Sequence, residues 1–130
     1  MSQENVDVVE RVVAALNDRD VEGYLACCAE DVQLWTPLFG GVYDGAVGIR
    51  RFFADVDDAA PEFHVTIERL EPIDADRVLA FVHLAASGRS SGIATPVDSA
   101  NVYEVVDGKI ARTRIFLDRS EALKAVGLDE

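Results

Sequence analysis

Asp107-Gly108 stands between two apolar runs, "IATPVDSANVYEVV" and "KIARTRIFL". A type I′ turn needs positive φ at both central residues, and Asp-Gly meets that need at little cost. The two runs therefore predict an antiparallel hairpin near the end of the chain. Upstream, "EFHVTIERLEPI" and "RVLAFVHLAAS" meet at "DAD" and predict a second pair of strands. Residues Gly88 to Gly92 form the loop between the pairs. The last strand is apolar on both faces, with Ala111, Ile115 and Leu117 on one and Ile110 and Phe116 on the other. Helices would cover one of these faces. The second is expected to meet another copy of the chain, which predicts a homodimer through the sheet.

The cover comes from the first half of the chain. Val6, Val9, Val13 and Leu16 recur at helical spacing, with Ser2 as an N-cap. Asn17 to Asp20 interrupts this helix. A second, Val21 to Ala29, starts at the cap Asp20 and places Tyr24, Leu25 and Cys28 on one face. "DVQLWTP" then alternates, Val32, Leu34 and Thr36 against Gln33 and Trp35, and Pro37 stops it. The loop "PLFGGVYDG" leads to a third helix whose apolar stripe is Ile49, Phe52, Phe53 and Val56. Ser120 to Val126 is a last short helix, ended by Gly127. The order α-α-β-α-β-β-β-β-α reads as one α+β domain over residues 1–130, helices on one face of a curved antiparallel sheet.

Charge excludes several functions. With 24 acidic against 12 basic residues the net charge is -12. Nucleic-acid phosphates and anionic membrane surfaces would both be repelled. The opening "MSQENVDVVERVVAALNDRD" lacks the apolar core of a signal peptide, and no run approaches a membrane span. Cys27 and Cys28, adjacent and unsuited to pairing with each other, fit a reducing cytoplasm. These thiols and the scattered His64 and His83 make no ligand pattern, so neither a metal nor another cofactor is expected.

The helical opening "VVERVVAALNDRDVEGYLACCAEDVQLWTP", the segment "YDGAVGIRRFF" and the ending "VDGKIARTRIFLDRSEALKAVGL" together resemble the NTF2-like superfamily, in particular its SnoaL-like branch. The resemblance implies a cone: a sheet curled around a mainly apolar internal pocket, closed by helices and paired with a second cone. Ketosteroid isomerases, similar in the first two helices, carry a catalytic Asp at the position of Thr36, an oxyanion tyrosine at Val12 and a second oxyanion acid at Asn101. Thr36 is no general base at neutral pH and Val12 donates no hydrogen bond, so that chemistry is excluded. The polyketide cyclases of the branch use one Asp at the end of the last strand, where this chain has Asp118.

Asp118 has two readings. As an acid/base group in an apolar pocket it could serve an aldol-type cyclisation, isomerisation or dehydration without a cofactor. As the start of "DRSE", with Glu121 three residues on, it is an acidic variant of the capping box. Its parity, shared with Arg112, Arg114 and Phe116, favours the cap. Asn101, polar within an apolar strand, could both donate to and accept from a ligand. Tyr43 offers a phenol at the pocket mouth, and Thr36 a small hydroxyl. Alternation sends Trp35 and His83 to the outer face, where packing between subunits is their expected use. "SGRSSG" lacks the Lys and helix of a phosphate loop. The expected function is binding of a small, largely apolar molecule in the cone, with or without chemistry at Asp118. The alternatives are a non-catalytic binding module and a dimeric protein-interaction domain.

Overall fold

The computed structural model describes residues 2–37, 41–85 and 97–127. Helices α1 (Ser2–Asn17) and α2 (Val21–Ala26) precede strands β1 (Cys28–Thr36) and β2 (Gly41–Asp44). Helix α3 (Gly45–Ala59) follows, then β3 (His64–Pro72), β4 (Arg77–Ala85), β5 (Val97–Val106), β6 (Lys109–Phe116) and α4 (Arg119–Ala125). The six strands form one sheet in the order β2-β1-β6-β5-β4-β3. Every neighbouring pair is antiparallel except β1 and β6, which run parallel. The chain is α+β as expected, but its sheet is mixed rather than purely antiparallel.

Local chemistry accounts for most of these elements. Asp107 and Gly108 have φ of 53° and 77°, the positive values that the predicted turn demands. Asp20 caps α2 by accepting from the Gly23 N–H at 2.9 Å. The α3 stripe is fully inside: Ile49, Phe52, Phe53 and Val56 are all buried. Gly48 lets α3 approach β2, because a Cβ there would lie 2.7 Å from the Tyr43 carbonyl carbon. Asn17 ties the end of α1 to the edge strand β3. Its amide donates to the Val65 carbonyl and accepts from the Val65 N–H, both at 2.8 Å, as a strand residue would.

Four expectations require correction. Strand β2 lies within the segment read as a loop; four residues are too few for a periodic signal, and pairing with β1 defines it. Helix α2 ends at Ala26, not Ala29, because Cys28 already pairs with Ile110 of β6 and the Ile110 N–H donates to the Cys27 carbonyl at 2.8 Å. In β6, pairing runs from Glu104–Arg112 directly to Val105–Ile110. Ala111 is thus a bulge residue, and Ile110 faces the main core together with Ile115 rather than sharing a face with Phe116. Finally, the helices do not all lie on one face. Helix α4 crosses to the other side of the sheet, where Ala122 and Val126 bury Leu79, Ala100 and Val102.

The main core sits between α1, α2, α3 and the inner face of the sheet. No described helix is long and apolar enough to cross a membrane. "SGRSSG" and the first residues of "IATPVDSANVYEVV" lie outside the described residues.

Candidate functional site

On β5 the side chains of Ser99, Asn101, Tyr103 and Val105 alternate with the outward Ala100, Val102 and Glu104. The inward row runs through the middle of the core, opposite α1 and α2. There it meets a small cavity of about 20 Å³, close to the room one water needs. Val12, Val13 and Leu16 of α1, Phe52 of α3 and the inward residues of the sheet give it apolar walls. Asn101, Tyr103, Tyr24 and Thr113 supply its polar atoms.

Asn101 is 3% exposed, and its Nδ2 donates to the Tyr103 hydroxyl at 3.1 Å. Its Oδ1 is buried and has no hydrogen-bond partner. A buried acceptor left unmet costs about 1–3 kcal/mol, so the position is expensive unless something meets it. Tyr103 is pushed up to about 12, chiefly by burial, with the Asn101 hydrogen bond working the other way. Burial also raises Tyr24, helped by Tyr103 nearby. The Cys28 thiol rises to about 12 through burial and the neighbouring Cys27. Near neutral pH all three keep their protons. Among the described residues that line the cavity there is no carboxylate, imidazole or ammonium.

The other candidates are placed elsewhere. Asp118 is the N-cap of α4, exposed, and aligned with the outward row of β6. Its Oδ1 accepts from the Ser120 N–H at 2.8 Å and from the Ser120 hydroxyl at 2.6 Å. The Ser120 hydroxyl first, then the Ser120 N–H, hold this carboxyl below the usual aspartate range. Thr36 is fully buried on the inward row of β1, two residues beyond Leu34, but is not among the residues lining the cavity. Tyr43 is buried as well, and its hydroxyl donates to Asp55 Oδ2 at 2.6 Å. Its ring packs edge-on against Phe52 beneath the Arg51 guanidinium. Of the four, only Asn101 reaches the cavity.

Sequence reasoning passed over Tyr103. The available signal was its spacing, two residues after Asn101 on one strand, which puts both on the same face. It also missed a cluster on the outer face. Glu68, His83 and Asp98 each offer one potential metal-ligand atom, and these atoms lie within 4.8 Å of one another. His83 and Asp98 are cross-strand partners, and Glu68 sits in the β3 bulge between Ile67 and Arg69. Glu68 is already paired with Arg119 at 2.5 Å, and His83 Nδ1 lies 2.9 Å from Asp98 Oδ1. Trp35 and His83 are on the outer face, as alternation predicted, with Trp35 packed on Phe116.

Comparison with known proteins adds the lineage. A family model described as a SnoaL-like domain matches residues 9–113. No curated protein sequence matches the chain. Among solved structures, TerC co-crystallised with polyporic acid shares the fold with a TM-score of 0.81 at 23% identity, over 95% of this chain and 98% of that one. A hypothetical protein of ketosteroid isomerase-like fold from Catenulispora acidiphila, in complex with trimethylamine, aligns at a TM-score of 0.78 and 19% identity. That match covers 93% of this chain and 92% of the other. RV0760c from Mycobacterium tuberculosis, in complex with estradiol-17beta-hemisuccinate, gives 0.74 at 21% identity over 86% and 92% of the two chains. By the match over residues 9–113, carried on a sheet and helices arranged as in these structures, the chain belongs to the SnoaL-like family and has the NTF2/ketosteroid isomerase-like fold.

Proposed function

We propose that this chain is a non-catalytic binder of a small, largely apolar molecule, which it holds between the helices and the inner face of the sheet with Asn101 orienting it. One observation carries the reading. The cavity has apolar walls and a buried amide oxygen without a partner, yet among the described residues its titratable side chains are tyrosines that stay protonated. Such a site can recognise but has no base for a carbon acid. Asp118 serves α4 as a cap, where hydrogen bonds keep it a weak base. Bound organic molecules in structural relatives, an estradiol derivative in one and polyporic acid in another, support a ligand-holding use of the fold. The buried, unpaired Cys27 and Cys28 support a reducing compartment such as the cytoplasm.

At about 20 Å³ the cavity admits a molecule larger than water only as lining side chains move aside. That small volume favours a second reading, a filled cone with the function on the outer face. There Trp35, 37% exposed, and Val42 leave apolar surface beside Arg114 and Phe116, the surface through which we propose two copies pair.

A thermal-denaturation panel separates the two readings. A ligand of the folded state raises the melting temperature by mass action, and a ring compound well above its Kd should add several degrees. Val12→Leu, which adds one carbon toward a cavity of that size, should reduce that rise while leaving the protein folded. If no apolar ring compound shifts the melting temperature of the unaltered protein, and Trp35→Glu instead splits a dimer in sedimentation, the second reading replaces the first.

A further inference from the structure

The Asn101–Tyr103 pair says what kind of polar group the molecule must carry, an inference that rests on the binding role proposed above. Asn101 Nδ2 donates to the Tyr103 hydroxyl oxygen at 3.1 Å. The phenol's own proton is therefore directed elsewhere, and Asn101 Oδ1 remains an unmet acceptor. Both residues line the cavity, so the pair presents two donors, the phenol proton and the second amide N–H, and one unmet acceptor, the amide oxygen. Exchanging the amide oxygen and nitrogen does not alter this count. The phenol would then donate to the amide oxygen, leaving both amide N–H groups as donors and the phenol oxygen as acceptor.

We propose that the site selects a small apolar ring bearing a hydroxyl. A hydroxyl donates one hydrogen bond and accepts another, so it satisfies both halves of the pair at once. A ketone of the same size accepts from a donor but leaves the amide oxygen unmet. A bare hydrocarbon leaves both unmet. A carboxylate would bring a buried charge to a wall with no described cation, which is costlier still. Leaving one buried group unsatisfied corresponds to about tenfold in affinity, so alcohol over ketone should be about that ratio.

Cyclopentanol, cyclopentanone and cyclopentane form a set of nearly equal size that isolates the term. Their affinities are measured by ligand-observed NMR for the unaltered protein and for Asn101→Leu. The expected order in the unaltered protein is alcohol, then ketone, then hydrocarbon, with about tenfold between the first two. Asn101→Leu removes the unmet amide oxygen, so it should bring alcohol and ketone close together, while the Tyr103 phenol keeps both above cyclopentane. Tyr103→Phe keeps the ring and is the second variant, should the first fail to fold; it leaves the amide oxygen unmet, so alcohol should still bind above ketone, and loss of that order would overturn the assignment. Equal binding of all three, or ketone above alcohol, overturns the hydroxyl assignment and leaves the binding role standing. Binding of none of the three overturns both.

Discussion

The two faces of one sheet have been given opposite jobs. Asn101 and Tyr103 point into an interior whose described cavity lining carries no charged residue. The intervening Val102 and Glu104 point outward, into a surface set with Arg69, Arg112, Arg114 and Arg119, several of them stacked on Phe81 or Phe116. In a chain with twice as many acids as bases, this collection of arginines is notable. Their guanidinium groups cover aromatic faces while staying in reach of water and of Glu68, Glu71 and Glu104. Inside, binding energy has to come from apolar contact and a small number of hydrogen bonds. Outside, it comes from stacking and ion pairs that salt weakens. The contrast follows from the two-residue period of a strand, which lets neighbouring residues face different solvents.

Three perturbations would sharpen or break the contrast. The largest effect is expected inside: Phe52→Ala removes a side chain 1% exposed that packs on Tyr43 and Phe53. It should cost about 3–5 kcal/mol in denaturant unfolding. On the outer face, Arg119 fastens α4 to the sheet: its Nε donates to the Ser99 carbonyl at 3.2 Å and its Nη2 to the Val82 carbonyl at 3.1 Å. Arg119→Ala should therefore cost less, about 2 kcal/mol. The loss should be local: hydrogen exchange should quicken at Ala122 and Val126 before it does in α1. Equal acceleration throughout would show that α4 and the core unfold as one unit and that the two faces are not separable.

The smallest effect belongs to Asp118. Asp118→Ala should loosen α4 without changing ligand response, and Asp118→Asn should keep the cap. The carboxyl's folded value lies below its unfolded one, so its contribution is full above the ordinary aspartate range, about 3.9. It is lost as pH falls through the folded value, and Asp118→Asn should flatten stability over that window. An NMR titration that found Asp118 raised toward neutrality would revive the acid/base reading.

What the sequence disclosed depended on range. The α3 stripe of Ile49, Phe52, Phe53 and Val56, the Asp20 cap and the Asp107-Gly108 turn are set by residues a few positions apart, and all were legible. The four-residue β2 was not, because a strand that short exists only through its partner. Asn101 could be picked out as a polar residue in an apolar strand. That its oxygen lacks a partner, and that Tyr103 occupies its nitrogen, needed the surrounding core. Tyr43 carried the same phenol as Tyr103, but Asp55 on α3 claims its hydroxyl.

By itself the sequence determined the order of the helices and of the strands other than β2, the hairpin turn, and the shared faces of elements without a bulge, since helical and strand periods act over a few residues. Tertiary structure alone decided the parallel pairing of β1 with β6, the Ala111 bulge that turns Ile110 inward, and the passage of α4 to the outer face. It also decided that Glu68 should meet His83 and Asp98 across three strands. Each of these depends on register between segments distant in the chain. A single bulge resets the faces of everything beyond it, and no local pattern of side chains records where that will happen.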